Sequence, residues 1–324
     1  MIEGKFSINE KGKDVSKTSY LFILKKSVIK KHQLLTPKKA SVIDLDTANS
    51  LFAEISQSGL PFGYQQANCH NIAHYIRAFL KSKGYECAKI WAFAPMVYSV
   101  NNSLLISFTD KKNISPTGKI DWGYHVAPIL QVRIGNKVRK MAIDPGLFKS
   151  PVRYRTWLAE LNTKNIIYLI MDSEWYLYNS SMVTNSQLDS NSNGLSNSNQ
   201  QNIQLPDWFS DKRITDFFKY EDDALAQHWV EQGLAVNETA LAFYNAEIKP
   251  ILNLPQYEDL ANDYKMLVGT VFNFETVFRD NNWNYEMNGD FQLKHQNIIA
   301  QYREIYSSNL TKWKEAFALL KDFR

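Results

Sequence analysis

Cysteine is nearly missing from this chain: only Cys69 and Cys87 occur in 324 residues. Two thiols in segments that read as helix and strand build no disulfide framework, so stability must come from packing. Long apolar runs are missing as well. Without about eighteen consecutive apolar residues the chain offers no membrane-spanning helix, and the polar stretch Met1–Lys17 does not read as a Sec-type signal peptide. The expected site of synthesis is therefore a cytoplasm. Charge of one sign is not in excess, since 37 basic residues face 33 acidic ones. No global field points to a nucleic acid or a membrane surface. The glycine patterns of P-loops and dinucleotide folds are absent too, so no nucleotide cofactor is expected.

What is present is a globular composition, 44% apolar and 13% aromatic, in a chain long enough for more than one core. Residues 1–40 read as a Lys-rich arm with strand character at Tyr20–Leu24 and Ser27–Ile29. Apolar residues at helical spacing predict a helix within Ser41–Ser58, capped at Asp46 or Thr47. A second helix is expected from Cys69 to about Lys83, closed by Gly84. Strand character follows at Cys87–Val100, Leu104–Phe108, Tyr124–Ile134, Val138–Ile143 and Ile166–Met171. Helix followed by sheet, without βαβ alternation, argues for an α+β fold. Residues 41–178 form the expected catalytic unit, and the Ser- and Asn-rich stretch 179–204 reads as a linker or loop. Residues 205–324 read as a helical bundle, with helices at Asp222–Val236, Glu238–Ile248, Tyr257–Phe278 and Phe291–Phe323.

One hairpin is legible in register. Gly135-Asn136 lies between two β-rich runs and is a two-residue turn signal. A turn there sets Leu130 opposite Met141, Pro128 opposite Ile143 and Ala127 opposite Asp144. His125 and Asp144 become diagonal neighbours on one face, within hydrogen-bonding reach of each other. A slip of one residue would send Asp144 to the other face. From spacing alone, the favoured reading of such a pair is a surface or half-buried structural contact. A lone thiol is likewise either buried filler, the default for Cys87, or a reagent.

Three segments together carry a family resemblance. Pro61-Phe62-Gly63-Tyr64 with Cys69-His-Asn-Ile-Ala-His74 and Gly84-Tyr85-Glu86-Cys87, then Trp122-Gly-Tyr124-His125-Val126-Ala127, then Ile143-Asp144-Pro145-Gly146-Leu147-Phe148 with Trp157 downstream, resemble the bacterial protein-glutaminases over about residues 50–180. The resemblance implies a papain- or transglutaminase-like core, no cofactor or metal, and deamidation of glutamine in a protein substrate. It assigns Cys69 as nucleophile, His125 as base and Asp144 as orienter. The stretch Met96–Asp121 is longer than the family pattern.

The chemistry fits these types. A carboxamide is a poor electrophile, and a thioester intermediate divides its hydrolysis into two easier steps. A helix N-terminus and a nearby imidazolium would each favour the Cys69 thiolate. Trp122 and Tyr124 are expected to wall a slot for the glutamine methylenes, unless they are core aromatics of the strand, and Gln66 is a candidate donor just upstream of the thiol. His70 and His74 have the i, i+4 spacing of zinc ligands, but no zincin Glu follows the first, so they read as packing residues. The alternatives are a transglutaminase, a papain-like protease, or a non-catalytic binding module. The helical region 205–324 would dock a partner protein. An extra helical module without a Sec signal also suits a protein passed into a host cell by another route.

Overall fold

The computed structural model describes residues 9–10, 13–14, 40–62, 68–98, 103–109, 119–161, 166–174, 176–178, 200–204, 216–220, 223–251, 254–255 and 289–321. The expected strands at Tyr20–Leu24 and Ser27–Ile29, the helix at Tyr257–Phe278, most of the linker and Gln66 lie outside these residues.

Short strands β1 (Asn9–Glu10) and β2 (Lys13–Asp14) pair with each other. Strand β3 (Val42–Asp44) leads directly into helix α1 (Leu45–Ser56). That helix begins after Asp44, whose carboxylate accepts the Thr47 N–H at 2.7 Å. Asp44 is therefore the cap expected at Asp46 or Thr47, because the preceding residues are held extended by pairing with the main sheet. Helix α2 (Cys69–Ser82) follows, and Gly84, with φ of 82°, ends it.

The main sheet is built around a long strand, β7 (Tyr124–Ile134), flanked by β4 (Ala88–Phe93) and β8 (Lys137–Ala142), with β9 (Val152–Arg153) and β10 (Ile167–Asp172) at the ends of the order β10-β4-β7-β8-β9. β5 (Ile106–Thr109) and β6 (Lys119–Trp122) pair separately. Between β4 and β5 the expected strand is interrupted by a helical turn at Pro95–Tyr98. The β7–β8 register is the expected one, with Leu130 opposite Met141 and Gly135 at φ of 56° in the turn. Helix α3 (Tyr154–Glu160) follows β9. A three-stranded sheet of β11 (Tyr176–Tyr178), β12 (Gln200–Gln204) and β13 (Asp216–Tyr220) has β13 at its centre, so the end of the expected linker is a strand.

Helix α4 (Asp223–Phe243) runs through Asn237 without a break, where two shorter helices were expected. Asn237 bonds the Gly233 carbonyl one turn back and so does not interrupt the ladder. The end loosens into a π turn at Tyr244–Ile248 and a 3-10 turn at Lys249–Ile251, as expected where Pro250 lacks an N–H to continue. Helix α5 (Gly289–Lys321) lies along α4, fastened by Trp313 Nε1 to Glu238 at 2.9 Å and Asn309 to Thr239 at 2.9 Å.

Alternation along β7 builds two cores. Leu130 and Val132 face α1 and α2, while Ala127 and Ile129 face Trp157 and Leu161. The first core continues without a gap into α4 and α5 through Val230, Leu234, Tyr302, Trp313 and Phe317. The helical region thus shares a core with α2, the helix that begins at Cys69. Tyr75 of α2 meets Trp313 and Phe317 edge to face at 5.4 and 5.0 Å.

Candidate active site

A gap in the sheet makes room for the site. β8 ends at Ala142, opposite Ile129. The last bond across is Ile143 N–H to the Pro128 carbonyl, at 2.9 Å, and Pro128 has no N–H to return. The chain leaves the ladder there, and Asp144 turns inward. Upstream of Pro128, β7 keeps β4 on one side, and among the described residues no strand pairs with its other side.

The N-terminus of α2 occupies that uncovered edge. The Cys69 sulfur lies 4.0 Å from the Tyr124 carbonyl and accepts the Val126 N–H, so it contacts the backbone on both sides of His125. Cys69 is half-buried. The N–H groups of Cys69 and His70 also favour the thiolate, as a helix N-terminus should. They are outweighed. Burial above all, with the Asp144 charge adding to it, pushes the thiol up to about 12. The expectation of a free thiolate is thus reversed for the resting site, in which the proton stays on sulfur until a base takes it.

His125 is placed near the backbone that the sulfur contacts. His125 Nε2 donates to Asp144 Oδ2 at 2.8 Å, both residues being buried, and Nδ1 is left with no hydrogen-bond partner. A neutral imidazole that donates through Nε2 keeps a lone pair on Nδ1. Asp144 is itself held from three directions. Trp157 Nε1 donates to Oδ2 at 2.8 Å, and Gly146 N–H donates to Oδ1 at 3.1 Å. Burial raises its carboxyl, but the imidazole charge and the His125 and Trp157 bonds together bring it below the ordinary value. A Cβ on Gly146 would lie 3.1 Å from Oδ1, so a side chain there would crowd the carboxylate.

The imidazole is also fixed from both faces. Trp122 stacks on it with centroids 4.4 Å apart and Trp157 at 5.4 Å, with interplanar angles of 26° and 17°. Trp122, expected as a slot wall, therefore touches the base directly. Tyr124 is half-buried against Trp91 and Phe93 of β4, and its hydroxyl is 3.0 Å from His70 Nδ1. His74 takes a different partner, Lys89 Nζ at 3.0 Å. The two histidines with zinc-like spacing thus face separate groups, and no cluster of three or more His, Cys, Asp or Glu suited to a metal occurs among the described residues.

Sequence reasoning missed Asn68. It stands at the N-cap of α2, where an Asn side chain ordinarily bonds the first turn, yet it makes no cap bond. It is 3% exposed, and neither amide atom has a partner among the described residues. Leaving such groups unpaired costs about 1–3 kcal/mol each. Its only sequence signal, an Asn before a helix, points to capping. The role of Trp157 was equally hidden, because no spacing rule links it to Asp144.

Comparison with known proteins agrees on the region. Residues 48–161 match the family model Gln_deamidase_2, described as glutaminase. Among solved structures, the protein-glutaminase from Chryseobacterium proteolyticum is 27% identical over 44% of this chain and 79% of its own, with a TM-score of 0.35. A second protein-glutaminase crystal structure is 18% identical over 67% of this chain and 98% of its own, with a TM-score of 0.39. The A47Q2 mutant of pro-protein-glutaminase is 19% identical over 73% and 72%, with a TM-score of 0.40. No curated protein matches the chain.

Proposed function

Residues 48–161 carry the domain of the glutaminase family, and from this we propose that the chain hydrolyses the side-chain amide of protein-bound glutamine, with Cys69, His125 and Asp144 as its catalytic residues. The observation that carries the assignment of roles is the His125–Asp144 bond of 2.8 Å, with Nδ1 left unpartnered, at the strand whose backbone receives the Cys69 sulfur.

The sulfur attacks the glutamine amide carbon as its proton passes to His125 Nδ1. The Asp144 carboxylate stabilises the imidazolium that results. Collapse of the tetrahedral species breaks the C–N bond, the proton goes to the departing ammonia, and a thioester remains. Water, losing a proton to His125, then cleaves the thioester to glutamate and returns the thiol. Because the resting thiol is held high, proton transfer and attack are coupled, and no free thiolate accumulates. The Cys69 N–H and the Asn68 amide are the donors for the developing oxyanion. The apolar faces of Trp122 and Tyr124 remain the proposed walls for the glutamine methylenes.

The test is mass spectrometry of protein substrates treated with wild type and Cys69→Ala. A gain of about one dalton per site, with ammonia release lost in the variant, is the expected result for an acyl-enzyme mechanism. Cross-linked products would indicate a transglutaminase and backbone cleavage a protease. Equal ammonia release from Cys69→Ala would refute the assignment.

A further inference from the structure

Beside its apolar contacts with the sheet, α2 turns a polar stripe toward it, which is unusual for a helix packed on a sheet. His70, His74 and Arg77 lie at positions i, i+4 and i+7, on one stripe of the helix. Their partners are Tyr124 on β7, Lys89 on β4, and Glu174 just beyond β10, at 3.0, 3.0 and 3.9 Å. These strands are neighbours in the order β10-β4-β7, so the helix crosses the sheet one strand per turn. The apolar residues of α2, such as Tyr75, Ile76 and Leu80, join the core shared with α4 and α5. Apolar burial would stabilise a helix on a sheet but tolerates sliding. Directional bonds do not, and a buried polar group that loses its partner is costly.

The first rung has a special position. His70 follows the thiol residue directly, and Tyr124 directly precedes His125. We propose that the His70–Tyr124 hydrogen bond is a positioning clamp that holds the Cys69 sulfur on the open edge of β7, in the register where it meets the imidazole. The clamp rests on the catalytic roles proposed above. Tyr124 is suited to it because its ring is wedged against Trp91 and Phe93, at centroid distances of 6.0 and 6.3 Å, which fixes the hydroxyl. Burial first and Lys89 second bring His70 down to about 3, and burial keeps the Tyr124 phenol protonated, so the bond joins two neutral groups. Neither group changes charge near neutral pH, and the clamp stays closed throughout the working range.

The experiment compares wild type, Tyr124→Phe, His70→Leu, His70→Asn and the Tyr124→Phe/His70→Leu double variant. Three quantities are read: kcat and KM on a glutamine-containing protein, the iodoacetamide alkylation rate of the Cys69 peptide, and the melting temperature. Tyr124→Phe keeps the ring and loses only the hydroxyl. It is expected to lower kcat and the alkylation rate by about tenfold, with KM changed less than about twofold, since small misplacements of reacting groups are costly. The double variant is expected to be no worse than the poorer single one, because both remove the same bond. His70→Asn, whose amide can occupy the Nδ1 position, is expected to recover most of the rate. Unchanged kcat and alkylation in Tyr124→Phe, a loss confined to KM, or multiplied losses in the double variant would overturn the clamp. Should His70→Leu fail to fold, Tyr124→Phe against wild type decides alone. If wild type releases no ammonia from any protein, the functional reading fails, whereas the alkylation comparison still decides whether the clamp exists.

Discussion

At the scale of single residues, two side chains next to the Cys69 contacts in sequence hold buried polar atoms with unused valences among the described residues. Asn68 offers a donor and an acceptor with no partner, and His125 offers Nδ1. Asn68→Ala is expected to lower kcat by about a hundredfold, the usual loss of an oxyanion donor, with KM little changed, as steady-state kinetics would report. Trp157→Phe keeps a ring over His125 but removes a bond to Asp144. The Asp144 carboxyl lies below its ordinary value of 3.8, so its contribution to stability is full above that pH and is lost as pH falls through the lowered value. Without the indole donor the carboxyl rises. Acid unfolding of Trp157→Phe should therefore begin at a higher pH than in wild type, and circular dichroism across an acid titration would detect it. An unchanged acid limb would mean that the indole bond adds nothing to the carboxylate.

At the scale of elements, much of the site was legible before any coordinates. The β7–β8 register follows from a Gly-Asn turn and period-two alternation, and it brings His125 and Asp144 to one another. The start of α2 at Cys69 follows from its apolar spacing. Other features could not be read. Asp44 caps α1 because Val42–Asp44 pairs in parallel with β7, a long-range contact that local spacing does not report. The polar stripe of α2 looked like surface or packing, since the sequence does not say which face meets the sheet. Close packing of helices was also hidden. Gly233 of α4 lies against Asn71 of α2, where a Cβ would collide with the buried Asn71 amide. Gly233→Ala should cost about 1–3 kcal/mol by overpacking, seen as a lower melting temperature, and should reduce kcat because Asn71 shares the first turn with Cys69. An unaltered melt would mean that the amide swings aside without cost.

At the scale of the whole molecule, the helical region is structural cover for the catalytic helix. Trp313 is fully buried, packs on Tyr75 and donates to Glu238. Trp313→Ala is expected to destabilise the whole protein by about 3–5 kcal/mol, measured by denaturant unfolding as a single transition. If the helices were an independent bundle, two transitions would appear and only one would move. The sequence indicated which residues of α4 and α5 are apolar, but not that their partner is a helix encoded far upstream.

That arrangement ties chemistry to the order of synthesis. The thiol is translated early, while the aromatic roof over its helix is translated near the other end of the chain, on α5. A nascent polypeptide carrying Cys69, His125 and Asp144 still lacks the surface that seats α2 on the sheet. The packing around α2 is therefore complete only once the last long helix has emerged.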